Sequence, residues 1–243
     1  NRSPNKNAPF VGSTAFAHKG GLHISAVQKD PKTYEHIDPE LVGNSRTLVV
    51  SNQSGKSNII NQLKALKINY RNNEKLLQEF LELVKEQEFI GYSYDGAEAS
   101  FELLARRKFL NLKEFYSLES FKVSDEKKIN NNGGFDTISE ARIKIIVNKK
   151  KFYSAAEGNG PIHALDRALR LALVKSYPKI KKLNLIDYKV RILTPKDGTN
   201  AIVRVRIESK NSKFKWSTIG VSNNVIDASF IALNDSITYH LIK

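Results

Sequence analysis

Residues 158–169 read GNGPIHALDRAL and residues 222–233 read SNNVIDASFIAL. At a constant offset of 64 these stretches align: Asn159 meets Asn223, Ile162 meets Ile226, Ala164 meets Ala228, Ala168 meets Ala232, and Leu169 meets Leu233. Upstream, Phe152 meets Trp216 at the same offset. Each aligned stretch opens a helix. Pro161 suits the first helical turn, where its missing N–H costs nothing. Agreement of identity and of element order indicates a duplication.

The strand-like segments around the two stretches complete the repeat. Residues 115–123, 141–147 and 152–156 precede a helix from Pro161 to about Ser176, and Asn130–Gly134 (NNNGG) is a loop between the first two strands. Residues 185–193, 201–208 and 214–221 precede a helix over about 225–241. Each copy therefore reads strand–strand–strand–helix. Two such units each bury a sheet face under a helix and pair about a pseudo-two-fold axis, so the expectation for residues 115–243 is a duplicated βββα domain of the α+β class.

Upstream of residue 115 the period changes to that of a helix. Ile59, Ile60, Leu63 and Leu66 share one face, and Leu76, Leu77, Phe80, Leu81, Leu83 and Val84 form a second stripe. Asn69–Asn73 is a polar break between them. A third helix fits residues 97–109 after the Asp95-Gly96 turn signal. Residues 1–53 are irregular and contain Gly, Pro and His. The expected division is 1–53, 54–114 and 115–243.

Composition narrows the class. A chain of 243 residues with 40% hydrophobic and 26% charged side chains is long enough for one large or two ordinary domains. It contains no apolar run of membrane-spanning length, and NRSPNKNAPF lacks the apolar core of a signal peptide. Cysteine is absent, which excludes disulfide and thiol chemistry; a cytoplasmic location is expected. Methionine is absent even at position 1, which predicts a fragment or a processed product. The formal charge is +14, but the lysines are dispersed and no nucleic-acid motif accompanies them. No nucleic-acid or membrane partner is expected.

Three motifs could carry chemistry. In AFAHKGGLHISA, His18 and His23 do not have the i, i+4 spacing of a helical zinc site and no nearby carboxylate completes a ligand set, so no metal ligand is assigned. An acid–base role needs a partner, and Tyr34 in KTYEHIDPE is one; otherwise His18 and His23 serve the Gly20-Gly21 turn. In NQSGKSN, the position that would hold the leading glycine of a phosphate loop is Val50, which rejects that reading. Ser54, Gly55 and Lys56 before a helix either hold an anion such as a CoA phosphate, or are a serine cap beside a surface lysine. At Gly158–Pro161 the glycine pattern is not a dinucleotide fingerprint. That turn and its repeat at Ser222–Asn224 either simply start helices or present N–H groups to a small carboxylate ligand.

The segments AFAHKGGLHISAVQKDPKTYEHIDPELVGN (15–44) and SNQSGKSNI (51–59) closely resemble the segment after the barrel in citramalate synthases, relatives of the 2-isopropylmalate and homocitrate synthases. EGNGPIHALDRAL, LIDYKVRIL, RVRIESK and GVSNNVIDASFIALNDSI resemble the regulatory, LeuA-type dimerisation domain of the same family. The resemblance covers nearly the whole chain. It implies condensation of acetyl-CoA with a 2-oxo acid, on a divalent metal held by a TIM barrel that this chain lacks, so no cofactor site is expected here. His18 and Tyr34 match a His and a Tyr that reach the active site of the partner subunit in a homodimer. The regulatory domain of the family binds isoleucine or leucine, and matching positions lie at Asn159 and Gly160, Ile186 to Leu193, and Thr199 to Ala201. TYEHIDPELVGN resembles citramalate synthase more than isopropylmalate synthase, which implies pyruvate as substrate and isoleucine as effector. The alternatives are an isopropylmalate synthase fragment and a stand-alone amino-acid-binding dimerisation module without catalysis.

Overall fold

A computed structural model describes residues 5, 8–18, 23, 26–27, 29–48, 56–70 and 73–243. The chain forms two compact units, Asn1–Gly96 with Leu104–Asn111, and Ala97–Leu103 with Leu112–Lys243.

The first unit is built on helices α1 (Lys56–Ala65) and α2 (Glu74–Phe89), together with the second half of α3 (Glu98–Leu110). Of the apolar stripe read from the sequence, Leu77, Phe80, Leu81 and Val84 turn inward from α2, while Leu76 and Leu83 are half-buried. Asn73 caps α2 by accepting from the Leu76 N–H at 2.9 Å. Phe80 meets Phe109 edge-on at 5.1 Å, and Lys108 pairs with Glu79 at 2.7 Å. Before these helices, strands β1 (Ala17–His18) and β2 (Thr47–Leu48) pair in parallel, aligning Ala17 with Thr47. Short 3₁₀ turns at Pro31–Thr33 and Pro39–Val42 lie between them, capped by Asp30 and Asp38.

The second unit contains the duplication. Strands β3 (Ser117–Ile129), β4 (Phe135–Val147) and β5 (Lys150–Gly158) form one antiparallel sheet in that order, followed by helix α4 (Pro161–Leu173). Strands β6 (Asn184–Ile192), β7 (Val203–Lys210) and β8 (Lys215–Ser222) form the other, followed by α5 (Val225–Ile242). Alternation on β4 points Ala141, Ile143, Ile145 and Val147 under α4, which buries Ala164, Leu165, Ala168, Leu169, Ala172 and Leu173 against them. On the second sheet Val205 and Ile207 lie beneath Ala228, Ala232 and Leu233.

The register repeats with the sequence. Ala141 faces Ala156 and Ile143 faces Ser154, as Val205 faces Gly220 and Ile207 faces Thr218. The Ser154 hydroxyl donates to the Ala168 carbonyl at 2.6 Å, and the Thr218 hydroxyl donates to the Ala232 carbonyl at 2.8 Å. The first strand of each copy is interrupted at matching places, between Leu118 and Ser120 and between Leu185 and Asp187.

Several boundaries differ from the sequence expectation, most at the β3–β4 hairpin and the end of α4. The β3–β4 hairpin runs on to Ile129 and Phe135, because backbone pairing continues where the side chains no longer alternate. Helix α4 ends at Leu173, after which Pro178 opens a 3₁₀ turn. Around the α5 side of the core, Ser100 Oγ donates to Asp235 Oδ2 and accepts from the Ile219 N–H, both at 3.0 Å.

Candidate functional site

In the first unit, three segments meet at Glu35. The residue follows the Pro31–Thr33 turn, and its N–H donates to the Pro31 carbonyl at 3.0 Å. Its carboxylate receives Arg46 Nε on Oε1 at 2.8 Å and Arg46 Nη2 on Oε2 at 2.5 Å. His18 Nε2 lies 2.8 Å from the same Oε1. The guanidinium clamp, aided by His18, holds the Glu35 carboxyl below the usual carboxylate range against the opposing effect of burial. Tyr34, next along the chain, is half exposed and stacks on His23, with ring centroids 4.2 Å apart.

The sequence left open which of His18 and His23 lies near Tyr34. The structure brings Tyr34 to His23, an exposed residue, and ties His18, largely buried, to Glu35. Glu35 and Arg46 were missed by the sequence reading; a Glu immediately after the candidate Tyr was the signal available. Of the anion-loop residues, Ser54 and Gly55 lie outside the described residues. Lys56 is the first residue of α1 and lies 3.8 Å from Glu74, on an exposed surface. Among the described residues no three His, Asp or Glu side chains converge as a metal site, so the metal implied by the resemblance has no fitting ligand set there. Among those residues, too, no helix is long and apolar enough to cross a membrane.

In the second unit, a cleft of about 490 Å³ opens between α4 and the start of β6. Ile162, Leu183, Leu185 and Tyr188 supply its apolar surface, and His163, Asp166, Arg170 and Asn184 its polar groups. Arg170 Nε donates to both Asp166 oxygens at 2.8 Å, and its Nη1 donates to the Leu183 carbonyl at 2.6 Å. The Tyr188 hydroxyl is 2.8 Å from Ser229 Oγ.

None of the sequence-derived effector positions is among the residues that line this cleft. Asn159 and Gly160 precede α4; the Asn159 N–H donates to His163 Nδ1 at 3.1 Å, while Gly160 starts the helix with no side-chain cap. Ile186 sits at the β6 irregularity and is exposed, so Leu185 and Tyr188 reach the cleft instead. Leu193, Thr199 and Ala201 belong to the β6–β7 loop, closed by the Leu193 N–H on the Ile202 carbonyl at 2.8 Å. Thr199 is exposed and Ala201 buried. At the repeat turn Ser222–Asn224 the Asn224 N–H donates to Ser222 Oγ, and the Asn224 side chain itself accepts from the Ile226 and Asp227 N–H groups.

Two antiparallel sheets, each followed by a helix packed on it, define a duplicated βββα class, and comparison with known proteins gives its family. The LeuA allosteric (dimerisation) domain matches residues 95–241, and the homocitrate synthase post-HMGL domain-like family matches residues 10–89. The chain belongs to the LeuA allosteric domain family. It is 48% identical to an (R)-citramalate synthase of Geobacter sulfurreducens over 100% of this chain and 46% of that protein. It is 49% identical to one of Aquifex aeolicus over 98% of this chain and 44% of that protein, and 43% identical to one of Streptomyces coelicolor over 100% and 45%. The chain thus spans about half the length of the curated relatives it matches.

Proposed function

We propose that this chain is the accessory and regulatory part of a synthase that condenses acetyl-CoA with pyruvate to form (R)-citramalate, subject to feedback by isoleucine. The observation that carries the reading is similarity over the whole chain to proteins named for that reaction, in both units rather than in the regulatory unit alone. In this reading residues 1–53 supply accessory catalytic groups, 54–114 a helical connector, and 115–243 the sensor. Tyr34 and His23 present an exposed tyrosine and imidazole side by side, suited to moving a proton or polarising a carbonyl, and His18, held on Glu35, is the further acid–base candidate. The divalent metal and the oxo-acid pocket belong to residues outside this chain.

The effector reading rests on the α4–β6 cleft. Its apolar wall suits an aliphatic side chain, and Asp166, Arg170 and the uncapped start of α4 suit the ammonium and carboxylate of an amino acid. The repeat-related place is filled differently: Phe230 stands at the Asp166 position and packs on Phe121 at 5.3 Å. Feedback is then a coupling between this cleft and the catalytic centre through a homodimer.

The test is to assay the native, full-length protein for acetyl-CoA-dependent CoA release with pyruvate and with 2-oxoisovalerate, each with and without isoleucine or leucine. Turnover of pyruvate inhibited by isoleucine is expected, and Tyr34→Phe should lower kcat by roughly 100-fold or more. Preference for 2-oxoisovalerate with inhibition by leucine would reassign the chain to an isopropylmalate synthase. Amino-acid binding without turnover of either acid would leave a sensing module.

A further inference from the structure

Glu35 is a buried carboxylate to which the function proposed above gives no part. Its side chain is 3% exposed, and it joins segments 17 and 11 residues away in the chain, at His18 and Arg46. An unpaired charge there would be costly; the two-pronged Arg46 contact offsets that cost and leaves Glu35 ionised. An ionised carboxylate offers only acceptors. His18 must therefore carry its hydrogen on Nε2, and its Nδ1 holds the lone pair when the ring is neutral. The same backbone turn that sends Glu35 inward sends Tyr34 outward onto His23, since both N–H groups donate to the Pro31 carbonyl, at 3.0 and 3.2 Å.

We propose that Glu35 is a positioning residue: clamped by Arg46, it fixes the tautomer of His18 and the presentation of the Tyr34–His23 pair. This rests on the reading of Tyr34 as an accessory catalytic residue. Asp30, Lys32, His36 and Asp38 line the adjoining cavity of about 270 Å³ beside Glu35 and Arg46, and all contribute to the field there. The role is one of orientation, so substrate affinity should be insensitive to it.

The experiment compares Glu35→Gln, Glu35→Asp and Tyr34→Phe in the native, full-length protein. Glu35→Gln keeps the size and loses the charge; kcat should fall roughly 10- to 100-fold, the scale seen for partners that orient a histidine, with KM for acetyl-CoA unchanged. Glu35→Asp, which keeps the charge, should restore part of the rate. In histidine-labelled protein, nitrogen–proton correlation spectra should show His18 protonated at Nε2, a readout that does not depend on how any variant folds. Wild-type kcat in Glu35→Gln beside a defective Tyr34→Phe would overturn the proposal, as would a His18 ring protonated at Nδ1. Wild-type rates in Tyr34→Phe would instead remove the accessory catalytic reading on which the proposal stands.

Discussion

In the first βββα copy Ile143 faces Ser154, whose hydroxyl reaches the Ala168 carbonyl; in the second Ile207 faces Thr218, whose hydroxyl reaches the Ala232 carbonyl. The copies part company elsewhere. The first strand of one brings Phe121 against Phe230, and that of the other brings Tyr188 to an open cleft beside Asp166. One helix begins at an uncapped glycine, the other at an asparagine that satisfies its own first turn. The strand–helix contact is what each sheet needs to bury its face, so it resists change. The helix starts and outer clefts bear less of that packing and are where the copies became different.

Each copy also has one place where backbone approaches backbone, and the two places are not equivalent. A Cβ added to Gly220 would lie 2.0 Å from the Ala228 carbonyl oxygen, yet the residue at the matching position of the first copy is Ala156. In the first copy it is Gly158 that is crowded, with Ala164 N at 2.4 Å, where the second copy has Ser222. Gly220→Ala should therefore cost about 3 kcal/mol and Gly158→Ala somewhat less, as overpacking against backbone that cannot yield locally. Hydrogen exchange resolves the two sites: the first substitution should deprotect β8 and α5, the second β5 and α4. Undiminished protection of α5 in Gly220→Ala would mean that α5 does not approach β8 this closely.

A smaller effect tests the shared part. Ser154→Ala and Thr218→Val each remove a hydroxyl that donates to a helix carbonyl. Each should lower local stability by about 1 kcal/mol, the net worth of a hydrogen bond in water. Equal losses, read from exchange in α4 and α5, would show the interface to be energetically duplicated as well as geometrically so. A loss confined to the buried Thr218 would show that partial exposure lets water replace the Ser154 bond.

How much of this was legible in the sequence depended on whether a core enforced it. The alternation Ala141, Ile143, Ile145, Val147 and the face Leu165, Ala168, Leu169, Ala172 both announced the first copy, because each side chain is pressed against the other element. The outer β3–β4 hairpin was not legible, since SDEKKI and FDTISE stand with both faces largely in water and leave no period to read. The α4–β6 cleft was not read from the sequence: the irregularity at Ile186 shifts the alternation, so Leu185 and Tyr188 line it. In the first unit the sequence offered Tyr34 as a partner for His18 or His23 and left the choice open, because spacing alone does not say which of two histidines a turn brings near; the stacking is with His23. Glu35 with Arg46 was invisible because that contact is made by tertiary folding and leaves no periodic trace.

The smallest expected effect bears on why the copies differ at their helix starts. Gly160 is extended, with φ −179°, and a Cβ there would meet nothing within 4 Å, so Gly160→Asn is sterically free. An asparagine at that position can cap α4 as Asn224 caps α5, where it accepts from the Ile226 N–H at 2.8 Å and the Asp227 N–H at 3.3 Å. Replacing a glycine cap by asparagine should stabilise α4 by only a few tenths of a kcal/mol. The same side chain would occupy the N–H groups that a ligand carboxylate needs. If the uncapped start of α4 is kept open for an effector, Gly160→Asn should raise protection of α4 slightly while weakening isoleucine binding by calorimetry, stability and affinity moving in opposite directions. A tighter helix with unchanged isoleucine affinity would place the carboxylate elsewhere in the cleft, on Arg170, and leave the glycine as a mere variation between the copies.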